Sequence, residues 1–185
     1  MLKINFGCGQ FPMPGWINVD NDDRVAADVR HDLDVKPYPF DNASADEIFA
    51  SHVLEHLNDP FGTMAEFARI LKPRARLTIR VPHFSRGFMH PDHKRGFDVS
   101  FPLYFDPSFR GGYSGTNLQC LKIRLRWFAQ PELKRQQLGS VRFVLASAMG
   151  RWLDLLAAAS PYVASRIWCF WVGGFEEVEF TFQRP

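Results

Sequence analysis

Ile4-Asn5-Phe6-Gly7-Cys8-Gly9, followed by Gly15-Trp16-Ile17-Asn18-Val19-Asp20, decides the fold. The first stretch reads as a buried strand running into a glycine turn. The second reads as a neighbouring strand that ends on a carboxylate. Strands of a parallel sheet are buried on both faces, so they carry apolar runs instead of strict alternation. Gly7 and Gly9 allow a tight turn and a close ligand approach that a Cβ would block. Asp20, at a strand end, is placed to accept hydrogen bonds from ribose hydroxyls. Only Gln10 to Gly15, with Pro12 and Pro14, separates the two strands. That is too short for the dozen or more residues of an ordinary parallel crossover, so no full helix fits there.

Outward from this pair, strands and helices alternate. Val25–Val29 is a short third strand, followed by a loop at Arg30–Leu33, and Ala45–Ser51 is a fourth that ends just before His52. Val53–Leu57 reads as one helical turn. Asp59 caps the next helix with Pro60 in its first position. Phe61, Met64, Ala65, Ala68 and Leu71 then recur at helical spacing until Lys72 and Pro73 stop the helix. Arg76–Val81 is a strand. Residues 83–117 are irregular but too aromatic for disorder, with Phe84, Phe88, Phe97, Phe101, Tyr104 and Phe105 among them. Leu121, Ile123, Leu125 and Trp127 alternate with Lys122, Arg124 and Arg126, giving a strand with a basic outer face. Residues 141–159 set Val144, Leu145, Ala148, Trp152, Leu155, Leu156 and Ala159 on one helical face, and Phe175–Phe182 is the last strand. The pattern predicts one domain over residues 1–185. Its class is α/β, a Rossmann-like, mainly parallel sheet closed by an antiparallel pair, with helices on both faces. Ligands of such sheets bind outside the carboxyl ends of the strands, here Gly7, Gly9, Asp20, Asp32, His52, Pro82 and His83.

The net charge of +2 gives no overall pull toward nucleic acid. The charge is uneven, however. Residues 1–60 hold eleven acidic against four basic side chains, and residues 110–151 hold eight basic against Glu132 alone. That second set is either a solvated face or a surface for an anionic substrate or membrane. Cys8, Cys120 and Cys169 lack framework spacing, which predicts a reducing, cytoplasmic setting without structural disulfides. Met1 leads straight into a strand, so no signal peptide is expected. The apolar region from about 143 to 173 is interrupted by Arg151, Asp154 and Arg166, short of the roughly 18 apolar residues of a spanning helix.

A dinucleotide fold would need Gly-x-Gly-x-x-Gly and an acidic residue about 20 residues on; Pro12 stands in place of the third glycine and Asp20 comes too early. No Gly-Lys-Ser/Thr follows the turn. The chain instead resembles the class I S-adenosylmethionine-dependent methyltransferases, and most of all the small bacterial type 11 methyltransferase-domain proteins. The resemblance rests on Asn5–Gly9, Gly15–Asp20, Asp32-Leu33, Asp46–Leu57 (with His52-Val53-Leu54-Glu55-His56) and Arg69–Pro73. It covers about residues 2–84. It implies a sheet of about seven strands with an antiparallel C-terminal hairpin and S-adenosylmethionine as cofactor. Asn5, Gly7, Cys8 and Gly9 would lie by the methionine part, Asp20 on the ribose, Asp32 and Leu33 on the adenine, and His52 beside the transferred methyl. Three features depart from the family pattern: Asn5 replaces an acidic residue, the first helix is nearly absent, and Arg74 stands where glycine is usual.

Methyl transfer from a sulfonium is an in-line displacement, so such an enzyme mainly aligns the reactants and excludes water. An amine or hydroxyl acceptor must also lose a proton, for which His52, His83 and His93 are the candidate bases. His83, His90, Asp92 and His93 match no strong ligand spacing, and no metal site is expected. The predicted acceptor is a small molecule, a sugar or a lipid-linked intermediate, with 83–117 and 141–171 as substrate-side insertions. Nucleic acid is not expected. The Trp152, Trp168 and Trp171 region reads first as core and second as peripheral membrane contact. The rival function is a Rossmann-like binding module without catalysis.

Overall fold

The computed structural model describes residues 1–86 and 90–185; Phe88 of the aromatic set lies outside the described residues. Seven strands form one sheet: β1 (Lys3–Phe6), β2 (Ile17–Asp20), β3 (Val29–Arg30), β4 (Ala45–Ser51), β5 (Leu71–Pro82), β6 (Gln119–Arg126) and β7 (Glu177–Gln183). Their order is β3-β2-β1-β4-β5-β7-β6. The β1–β5 pairs are parallel, whereas β7 runs antiparallel to both β5 and β6. The described residues also form four α-helices: α1 (Pro60–Ile70), α2 (Pro131–Leu138), α3 (Ser140–Ala159) and α4 (Pro161–Arg166). The third strand is shorter and later than its Val25–Val29 prediction.

α1 starts as its sequence dictates. The Asp59 carboxylate accepts from Gly62 N at 2.8 Å and Pro60 occupies the first turn. Its buried face, Met64, Phe67 and Ile70, packs on the sheet, with the Phe67 and Phe6 rings 4.9 Å apart. The core continues along this face through Ile48, Leu77, Ile79, Val178, Phe180 and Phe182. Phe101 and Phe105 of a short 3-10 segment in the irregular region seal it against β7. β5 begins at once after α1, several residues before the predicted Arg76. Arg74 there has φ of 65°, the left-handed region, which explains why a glycine would suit that position.

No helix joins β1 to β2, β2 to β3 or β3 to β4 among the described residues. Across β1, β4 and β5 the face opposite α1 is therefore half-exposed and polar. Lys3 pairs there with Glu47 at 2.7 Å, and the Arg80 guanidinium sits over Phe49 and bonds Glu179. The β1–β2 connection is held by a hydrogen-bonded asparagine pair instead of a helix. Asn5 Nδ2 donates to Asn18 Oδ1 at 3.0 Å and to Phe11 O, and Asn18 Oδ1 also accepts from Met13 N at 2.7 Å. Asn18 in turn donates its backbone and side-chain N–H groups to Asp28. A carboxylate at position 5 could not donate to Phe11 O or Asn18, so the asparagine goes with the loop that replaces the helix.

The turn after β1 depends on glycine at both positions, for different reasons. Gly7 has φ of 64°, and a Cβ there would lie 2.2 Å from Val53 Cγ2. Gly9 has φ of 50°, but a Cβ there would meet nothing within 4 Å. Gly7→Ala is expected to cost about 3 kcal/mol, from left-handed backbone plus overpacking, and Gly9→Ala only about 1 kcal/mol. Urea denaturation of the two variants checks the ranking; equal losses would contradict it.

Candidate functional site

At the carboxyl ends of β1 and β2 the turn and the strand-end carboxylate are joined. Asp20 Oδ2 accepts from Gly9 N at 2.8 Å, and Oδ1 accepts from Asp22 N at 3.0 Å. Each carboxylate oxygen can accept more than one hydrogen bond, so Asp20 keeps capacity for ligand hydroxyls. The open space over Gly9 lies next to it. Asp32, exposed, closes an Asx turn onto Asp34 N, and Leu33 is buried with its carbonyl accepting from the Tyr38 hydroxyl. Cys8 is buried, and burial together with the Asp20 charge raises its thiol pKa, which fits a small turn residue and not a nucleophile. Asn5 is the predicted cofactor residue that the structure turns away: it is buried and its amide is committed to the loop network just described.

His52 follows β4 with φ of 56°, a strained conformation for a residue with a side chain. Its Nδ1 faces Glu55 Oε1 at 3.2 Å and its Nε2 faces Glu177 Oε2 at 2.9 Å. Burial pulls its pKa down, but the hydrogen bonds and charges of Glu177 and Glu55 outweigh that and raise it to about 9. The raised value favours the imidazolium, with each ring nitrogen facing a carboxylate. Glu177 was not among the candidates read from the sequence. Its one local signal is its place, with Glu179, in alternation with Val178 and Phe180.

The other histidines separate. His83 is fully buried, with Nδ1 2.7 Å from Ser85 Oγ and Nε2 2.8 Å from Ser165 Oγ. No acceptor can reach it, so it leaves the set of candidate bases. Burial lowers its pKa to about 4, against a smaller opposing effect from Asp98. Its unfolded value lies near 6.5, so protons bind the unfolded chain preferentially between those values and stability falls as pH drops from about 6.5 toward 4. The expected loss is about 3 kcal/mol over that window. His83→Gln should flatten this pH dependence in denaturation curves; an unchanged slope would contradict the burial argument. His93 comes instead to the turn after β4. Its Nε2 is 3.9 Å from Glu55 Oε1, and its ring lies 4.9 Å from those of both His56 and His90. Glu55, His56 and His93 offer donor atoms within 4.8 Å of one another, which differs from the His83, His90, Asp92 and His93 grouping considered from sequence.

Among the described residues, two cavities beside the sheet stand out, and neither is lined by Gly9, Asp20 or His52. One, of about 430 Å³, opens at the α1 N-terminus between Asn58–Phe61 and Arg95–Tyr104. The other, of about 850 Å³, lies at the opposite ends of the strands, beside Gln119–Ile123 and Pro185.

The strand order, the antiparallel β7 and the strand-end turn together define the architecture. Residues 17–79 match the methyltransferase domain family, and among solved structures the chain is similar to a SAM-dependent methyltransferase from Archaeoglobus fulgidus (TM-score 0.57, 16% identity, covering 98% of this chain and 85% of that one). This is a class I methyltransferase fold. A second such enzyme, from Mesorhizobium loti, is similar with a TM-score of 0.55 and 13% identity over 99% of this chain and 90% of that one. The [4+2]-cyclase SpnF is similar too, with a TM-score of 0.54 and 13% identity over 99% and 74%. At these identities the likeness establishes the fold and not the reaction. No curated protein matches the chain in sequence. Within the methyltransferase fold, β1, β2 and β4 bring Gly9, Asp20 and His52 to the carboxyl ends of the parallel strands.

Proposed function

We propose that this chain transfers the methyl group of S-adenosylmethionine to a small-molecule, sugar or lipid-linked acceptor. The observation that carries this reading is the Asp20 carboxylate bonded to Gly9 N beneath open space, at the carboxyl ends of the central parallel strands. The residues present fit the cofactor there, apart from Asn5. When bound, the cofactor supplies an electrophilic methyl group on a sulfonium. Asp20 accepts from the ribose hydroxyls, the Gly7–Gly9 turn receives the methionine part, and the Asp32-Leu33 loop borders the adenine. His52 stands between Glu55 and Glu177 at the end of β4, beside the glycine turn. His52 acts in this reading as the cation that holds two carboxylates in place.

A base for the acceptor is then sought at His93, whose ring borders the turn after β4. The cavity between the α1 N-terminus and Arg95–Tyr104 supports placing the acceptor on the 83–117 side. Methyl-labelled S-adenosylmethionine incubated with the protein and with fractionated aqueous and lipid extracts tests the reading. Label recovered in an extract molecule is the expected result. Label in no fraction, from a folded protein that binds the cofactor product, would favour a non-catalytic binding module.

A further inference from the structure

The outward face of α3 is apolar. At 100° per residue, Val144, Leu155, Val141, Trp152, Leu145 and Met149 cover a continuous arc of about 140°. All six side chains face solvent, with residue exposures between 50% and 74%. The Trp152, Trp168 and Trp171 region reads from sequence first as core; Trp168 does pack against it, whereas Trp152 and Trp171 are exposed and α3 buries its opposite face through Gly150, Leu153 and Ala157. Exposed apolar surface on this scale marks an interaction site. Just beyond its two edges, about 20° outside the arc on either side, stand Arg142 and Arg151, both exposed. Phe170 and Trp171, 68% and 76% exposed, extend the apolar surface after α4.

We propose that this face docks on an anionic membrane surface. An apolar stripe with aromatic anchors and flanking arginines is the composition of a helix that lies in the lipid interface. The stripe enters the acyl boundary while Arg142 and Arg151 reach headgroup phosphates. Charge selects this occupant over a second copy of the chain. From residue 131 to 171 the acidic residues are Glu132 and Asp154 alone; of the basic ones Lys134 pairs with Glu176 and Arg166 with Asp98, and Arg135, Arg142 and Arg151 carry the positive balance. Asp154 is turned inward, accepting from Trp127 N at 2.7 Å. A twofold pairing would set like charges against like charges. No helix of the described residues is long and apolar enough to cross a membrane, so the contact is peripheral.

Sedimentation with sucrose-loaded vesicles tests this independently of methyl transfer. The full chain should pellet with phosphatidylglycerol–phosphatidylcholine vesicles and at least tenfold less with phosphatidylcholine alone. Trp152→Glu/Leu155→Glu should lower binding at least tenfold with an unchanged circular dichroism spectrum. Arg142→Gln/Arg151→Gln, which leaves the stripe intact, should lower binding to the anionic vesicles only. Equal pelleting of wild type and both variants would overturn the proposal. So would no binding to anionic vesicles, or a dimer in light scattering that the Trp152→Glu/Leu155→Glu variant abolishes.

Discussion

His52→Ala is expected to destabilise the fold by about 3 kcal/mol, because it leaves two buried carboxylates without their shared cation. Glu55 is fully buried and Glu177 nearly so, and His52 stands between them with one ring nitrogen toward each. The next nearest ring nitrogens to Glu55, those of His93 and His56, stand farther off, at 3.9 and 4.0 Å from Oε1. His52→Ala combined with Glu177→Gln should recover part of the loss, since it removes one of the stranded charges. Urea denaturation near neutral pH measures both. A His52→Ala variant as stable as wild type would show that the ring does not hold the carboxylates. Loss of stability also distinguishes this role from that of a general base, whose removal would lower turnover and leave the fold intact.

Asp20→Ala is expected to weaken binding of S-adenosylhomocysteine about 100-fold. Hydrogen bonds to a charged group contribute roughly 1.5–3 kcal/mol each, and 1.4 kcal/mol is tenfold in affinity. The substitution removes the ribose acceptor and also the bond that fixes Gly9 N. Asp20→Asn keeps one acceptor oxygen and should lose only about tenfold. Calorimetry on both variants checks the order. Equal affinity for wild type and Asp20→Ala would remove the residue from the site.

What could be read from the sequence follows from the range of the interactions involved. The Gly7–Gly9 turn, the Asp20 strand end and the Asp59–Pro60 helix start are local signals, and each stands where its residues predict. The role of Asn5 was not legible, since its partners Phe11 and Asn18 become neighbours only once the loop replaces a helix. The charge state of His52 depends on Glu177, 125 residues away, and the burial of His83 on Ser165, 82 residues away. No periodicity encodes such meetings. Periodicity did find the apolar stripe of α3 but carries no sign of direction. The same spacing serves a face packed inward or one presented outward, and the inner face here is made of small or few residues, Gly150, Leu153 and Ala157.

The most direct test of the central claim is titration calorimetry of the wild-type chain with S-adenosylhomocysteine, with NAD as the control ligand. Saturable one-to-one binding of S-adenosylhomocysteine and none of NAD is the expected result. A folded protein that binds neither, or that prefers NAD, would contradict it.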